Sequence, residues 1–211
     1  MRQKLGKVIP SFWRTLNLPN GITPLHIAAY SGDLDLLKTI FERNPENKTK
    51  DDWGCTPLHY AAHNGHFEMC QYIMQIFDYM NTENIFGETP LYEAANHGHL
   101  KICKILVKSF LDNNPADISG WTPFQYAALH GHLEVCDFFM RIIKNKTPHT
   151  MSGLFPLFLA ADNGNTDICE LIMKKLDDQY PTVNTLGCIM FAQGKKQLET
   201  RAIIKISTQH C

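Results

Sequence analysis

No stretch of this sequence approaches the roughly 18 consecutive apolar residues that a membrane-crossing helix needs, although 44% of its 211 residues are apolar. Membrane insertion is therefore not expected. The N-terminal run MRQKLGKVIPSFWRTL has basic side chains but no continuous apolar segment behind them, a poor match to a secretory leader. Charge is also scarce, at 19%, against about 25% in an average soluble domain. It is unevenly spread: residues 1–20 hold four basic side chains and no acid, and residues 194–211 hold four against Glu199 alone. The stretch between carries 12 basic and 20 acidic residues, a net of −8. An acidic body argues against nucleic acid as a partner.

Signatures of chemistry are missing as well. There is no Gly-x-x-x-x-Gly-Lys-Ser/Thr, no Gly-x-Gly-x-x-Gly and no Gly-x-Ser-x-Gly, so neither a phosphate-cradling loop nor a nucleophile elbow is encoded. His-Glu-x-x-His and Cys-x-x-Cys are absent too. The expectation is a chain with no catalytic residues, no resident metal and no cofactor.

What the sequence does have is a period. GITPLHIAAYSGDLDLLKTIF begins at Gly21 and GCTPLHYAAHNGHFEMCQYIM at Gly54. GETPLYEAANHGHLKICKILV begins at Gly87, GWTPFQYAALHGHLEVCDFFM at Gly120 and GLFPLFLAADNGNTDICELIM at Gly153, with a constant spacing of 33 residues. Each copy reads as one structural unit. In the second copy, Thr56 can cap a helix, and Pro57 suits the first helical position, where its missing N–H costs nothing. Leu58, Ala61 and Ala62 form a short apolar face, and Gly65 suits the left-handed residue that ends the helix. A second helix follows, with Phe67, Cys70, Ile73, Met74 and Phe77 at three- and four-residue spacing. A polar loop then leads to the next glycine. Neither helix can bury its stripe alone, so the units must stack.

The period and the Thr-Pro-Leu-His-x-Ala core resemble the ankyrin repeat, over residues 21–176. The resemblance implies an all-α solenoid of helix-turn-helix units with projecting hairpin loops. The repeats would occupy 21–53, 54–86, 87–119, 120–152 and 153–182. Residues 1–20 would form an extension or partial cap, and 183–211 a degenerate sixth repeat or C-terminal cap. Three departures stand out: Tyr92, Gln125 and Phe158 replace the repeat histidine, and Phe155 replaces the capping threonine. In the family that histidine ties neighbouring loops, so looser loops are expected toward the C-terminal end.

Ten histidines invite a metal reading, above all His59, His63 and His66 within LHYAAHNGH. His59 and His26, however, hold the repeat position, and His66 recurs as His99 and His132 after each turn glycine. Only His63 is idiosyncratic. Cys70, Cys103, Cys136 and Cys169 likewise form a column 33 apart. Packed helices lie about 8–10 Å apart, whereas a disulfide needs Cα atoms within about 7 Å. These thiols are expected to be reduced, buried and apolar in role, in a cytoplasmic or nuclear setting.

The resemblance also points to where a partner would bind: the loop tips and inner-helix ends of the concave face. Those positions hold Tyr30 in the first unit, and Trp53, His63 and Asn64 around the second. They continue with Ile85, Phe86, Glu88, Asn96 and His97, then Ile118, Trp121, Leu129 and His130. Met151, Leu154, Asp162 and Asn163 complete the set. Large side chains there exceed what solvent favours. The expected function is a monomeric adaptor- or inhibitor-type module that binds another protein. A second reading is a regulatory or targeting part of a larger channel, kinase or ubiquitin-ligase subunit. A third, a zinc-binding protein or enzyme, rests on the histidines alone.

Overall fold

The computed structural model describes residues 21–43, 50–77, 82–108, 113–143 and 155–177. These segments contain ten helices and no strand. Five short inner helices are α1 (Pro24–Ser31), α3 (Pro57–His63), α5 (Pro90–Asn96), α7 (Pro123–Leu129) and α9 (Pro156–Asp162). Five outer helices are α2 (Leu34–Arg43), α4 (Phe67–Ile76), α6 (Leu100–Val107), α8 (Leu133–Ile142) and α10 (Thr166–Asp177). Each inner helix packs on its own outer helix and on the inner helix of each neighbouring described unit. The result is two helical layers with one continuous core between them.

The local chemistry explains each boundary. Every inner helix starts on proline, preceded by an extended N-cap: Thr23, Thr56, Thr89, Thr122 or Phe155. Phe155 offers no capping side chain, a loss that typically costs about 0.5–2 kcal/mol. Each turn glycine adopts a left-handed φ, for instance +78° at Gly65. A second constraint acts at Gly65: a Cβ there would lie 2.6 Å from the His99 imidazole. The turn must therefore be bare because the next repeat leans on it.

That lean is a hydrogen bond. His66 Nε2–H donates to the Tyr30 carbonyl at 2.9 Å, His99 to His63 at 3.0 Å and His132 to Asn96 at 2.9 Å. In the fifth unit Asn165 does the same job with its amide, reaching the Leu129 carbonyl at 3.1 Å. The histidine after each turn glycine thus ties its repeat to the end of the preceding inner helix.

Between the layers, Leu58, Ala61, Ala62, Cys70 and Ile73 are fully buried, as are their counterparts Leu91, Ala94, Ala95, Cys103 and Leu106. Burying one Leu or Ile is worth about 1.5–3 kcal/mol. The paired alanines let neighbouring inner helices approach closely. The four column cysteines are free and buried as expected, and burial pushes Cys70, Cys103 and Cys169 up to about 12. They stay protonated and behave as apolar groups. The proposed caps, 1–20 and 183–211, lie outside the described residues.

Ala95→Leu adds three heavy atoms to a seam that has no room. It should lower stability by about 1–3 kcal/mol, read as a lower urea midpoint with an unchanged slope. An unaltered midpoint would show that the seam is open.

Candidate partner-binding surface

Three loops between units are built on one device that sequence reasoning missed. Asp51, Asn84 and Asp117 recur 33 residues apart, three residues before the glycines Gly54, Gly87 and Gly120. In each, the side-chain Oδ1 accepts two backbone N–H groups. Asp51 takes those of Trp53 (3.0 Å) and Cys55 (2.8 Å), and Asn84 those of Phe86 (2.9 Å) and Glu88 (3.0 Å). Asp117 takes those of Ser119 and Trp121, both at 2.8 Å. This is an Asx turn, in which a short polar side chain imitates backbone. The signal was available as a 33-residue Asp/Asn period, hidden because both residue types are common in any loop.

The turned loops then join one another. Ile85 N–H donates to the Trp53 carbonyl at 2.8 Å, and Ile118 N–H to the Phe86 carbonyl at 3.0 Å. From below, the repeat histidines support them. Thr56 N–H donates to His59 Nδ1 at 3.0 Å, so that nitrogen is unprotonated and Nε2 carries the hydrogen. Nε2 in turn donates to the Glu88 carbonyl at 3.2 Å in the next loop. His26 bridges Thr23 and the Cys55 carbonyl in the same way.

The loop between the fourth and fifth units, where loosening is expected, lies outside the described residues; within them, Tyr92 and Gln125 both find other partners. Gln125 is an amide version of the histidine: its Oε1 accepts Thr122 N–H at 2.9 Å. Tyr92 turns instead to Tyr126, edge-on with ring centres 4.4 Å apart and joined to it by a side-chain hydrogen bond. At the Tyr92 boundary the two loops stay joined backbone to backbone, Ile118 to Phe86, by a tie that does not depend on residue 92. Phe158 belongs to α9, which carries Pro156 but no capping side chain.

The expected contact residues divide by what they touch. Tyr30, Trp53, Ile85, Phe86 and Ile118 stand exposed. Trp121 does not join them; it is half-buried against Tyr126, with ring centres 4.9 Å apart. Asn64 and Asn163 turn back to bond the carbonyls of Tyr60 (3.1 Å) and Leu159 (3.0 Å) four residues earlier. His97 does the same to Glu93 at 3.1 Å. In these three units the tenth position after the leading glycine is therefore a helix-end cap as much as a contact position. His130 is exposed and stacks on Tyr126 at 6.5 Å. Glu88 is half-buried and accepts the Asn84 amide at 2.7 Å. Leu129, Asn96 and Asp162 are half-buried, and the Asn96 Oδ1 is buried with no hydrogen-bond partner. Met151 and Leu154 lie outside the described residues.

One concavity sits among these groups. An open cleft of about 170 Å³ is lined by Tyr30, Cys55, His59, Tyr60, His63 and Glu93. Tyr60 crosses it to donate to Asp51 Oδ2 at 2.7 Å. Burial raises the Cys55 thiol to about 11, which leaves it a poor nucleophile. At the rim, His63 Nδ1–H donates to Glu93 Oε2 at 2.9 Å, and that hydrogen bond holds the imidazole above its ordinary pKa.

Comparison with known families settles the architecture. A model described as ankyrin repeats (many copies) matches residues 19–73. A second, described as ankyrin repeats (3 copies), matches residues 76–147 and 108–185. The chain belongs to the ankyrin repeat family. Ankyrin repeats are protein-interaction modules, so the biochemical class follows from the family. No individual curated protein matches the chain. Among the described residues, no helix is long and apolar enough to cross a membrane.

The loop supports carry a pH dependence. Burial lowers His59 from its ordinary 6.5 to about 4. The unfolded chain therefore binds a proton below pH 6.5 that the folded chain refuses until about pH 4. Stability from this site is complete above pH 6.5 and falls as the pH drops through that window, by a total on the order of 3 kcal/mol. His59→Gln, which copies Gln125, should keep the helix start and remove this component. Urea melts at pH 7 and pH 4.5 should show wild type losing about 2 kcal/mol more than the variant. Equal losses would show that His59 is already protonated in the fold.

Proposed function

We propose that this chain recognises a partner protein through the ridge of loop tips and the adjoining inner-helix ends. One observation carries the reading. Among the described residues, six large apolar side chains are strongly exposed: Tyr30 (55%), Trp53 (41%), Ile85 (59%), Phe86 (46%), Ile118 (61%) and Leu133 (39%). Five of the six lie at loop tips or inner-helix ends, and only Leu133 belongs to an outer helix. Random surface hydrophobics would scatter over both layers, whereas a contiguous apolar set favours contact. Aromatic anchors backed by a rigid support are also what binding hot spots use.

The support is rigid because each of the three described loops between units is held twice, by its own Asx turn and by a backbone bond to a neighbouring loop. The Trp53, Ile85 and Phe86 side chains are thus presented with little ordering left to do on binding, which favours affinity. Chemistry on a substrate finds less support: the buried thiols are held protonated, and Cys55 is raised to about 11. The role is that of an adaptor or inhibitor that occupies a partner's surface.

The test compares captured proteins, quantified by mass spectrometry, across three baits. Ile85→Ser with Ile118→Ser should lose the specific partners of the wild-type chain at least tenfold. Leu133→Ser, on the outer layer, should retain them. Loss with Leu133→Ser and retention with the loop pair would place recognition on the outer helices instead.

A further inference from the structure

Two imidazoles converge on one carboxylate across the boundary between the second and third repeats. His63 ends α3; Glu93 lies in the first turn of α5 and His97, four residues on, caps its C-terminal end. Glu93 Oε2 lies 2.9 Å from His63 Nδ1 and 3.8 Å from His97 Nδ1. The two rings face each other with centres 3.9 Å apart, tilted by 52°. Donor atoms of all three side chains lie within 4.8 Å of one another. We propose that His63, Glu93 and His97 form a binding site for a divalent transition ion of the zinc class, bridging repeats two and three on the concave face.

The donor set fits that ion. Two imidazoles and one carboxylate suit a borderline-soft cation, and they leave one position of a tetrahedron open. Zinc bonds of about 2.1 Å at tetrahedral angles put donors about 3.4 Å apart. The His63–Glu93 and His97–Glu93 separations bracket that value. Closing the remainder takes movements of roughly an ångström, by side chains with room to move: His63 is 45% exposed and His97 34%. The ion would take the place of the hydrogen that now bridges His63 Nδ1 and Glu93 Oε2, and that proton leaves to solvent. The Nδ1–H bond of His97 to the Glu93 carbonyl is exchanged for the metal bond if Nδ1 ligates; if Nε2 ligates, it stays and fixes the ring. The open fourth position borders the cleft that His63 and Glu93 help to line, where water or a donor from a bound protein can complete it.

The spacing is not repeat grammar. The residues that replace His63 in neighbouring units are Tyr30, Asn96, Leu129 and Asp162, and those that replace Glu93 are Ile27, Tyr60, Tyr126 and Leu159. The three ligand types coincide at one boundary among the five units. The histidine run that first suggests a metal, His59-x-x-x-His63, supplies only His63. His59 is committed through both nitrogens to Thr56 and Glu88.

The test is calorimetric titration of the full chain with zinc chloride, alongside His63→Asn, Glu93→Gln, His97→Asn and the control His130→Asn. Asparagine already occupies the His63 and His97 positions in other repeats, as Asn96 and Asn64, so folding is expected to hold and is checked by circular dichroism. Wild type and His130→Asn should bind about one ion per chain with equal affinity. Each of the other three should bind at least tenfold more weakly, since even supporting groups around a metal cost about 10–100-fold. Independently, zinc should shift the imidazole resonances of His63 and His97 together in the wild-type NMR spectrum. No saturable uptake, uptake that survives the three ligand variants, or resonance shifts confined to other histidines would overturn the assignment.

Discussion

Each unit of this chain exposes more apolar surface than its own two helices can cover. That deficit governs everything else. Leu58, Ala61 and Ala62 cannot be buried by α4 alone; α1 and α5 close the rest. The inner helices must therefore sit near one another, and only alanine pairs permit it. Packing fixes the spacing of the inner helices, and that spacing sets the distance between successive loops. At that distance loop backbones can bond, as Ile85 does to Trp53. Rigid presentation of exposed rings is a consequence of hydrophobic burial two layers below.

Hydrogen bonding then removes the freedom that burial leaves. Histidine serves two separate ties. One, at His26 and His59, couples a helix start to the next loop. The other, at His66, His99 and His132, couples a turn to the end of the previous inner helix. Both reach a carbonyl through ring Nε2, and at His26 and His59 the other nitrogen accepts a threonine N–H, which keeps the ring neutral. Where histidine is missing, Gln125 and Asn165 supply amide equivalents and Tyr92 supplies a ring contact. The function of the position is conserved in physics while its residue type varies. A pattern search that weighs histidine alone therefore misses the contacts made at these positions.

The fold was legible because its information is periodic. Proline at each inner-helix start, glycine at each turn and a 3.6-residue apolar stripe repeat five times, and each copy checks the others. The cysteine column was readable for the same reason. Site residues were less so. Register placed Trp53, Ile85, Phe86 and Ile118 at the tips, and they are exposed there. Register could not say that Trp121 lies back on Tyr126 or that Asn64 folds onto its own helix, because both depend on side-chain rotamers. The Asp51, Asn84 and Asp117 column was present but looked like ordinary loop polarity. The meeting of His63 with Glu93 needed the third dimension, since thirty residues separate them.

Whether five units share one interior can be measured by native-state hydrogen exchange. Amides of buried residues in α4, α6 and α8, such as those of Ile73, Leu106 and Phe139, should open with a common free energy. Their denaturant dependence should match that of global unfolding. Opening energies that differ unit by unit, with slopes the size of a single repeat, would show modules that fold separately, and the account built here on shared burial would be wrong.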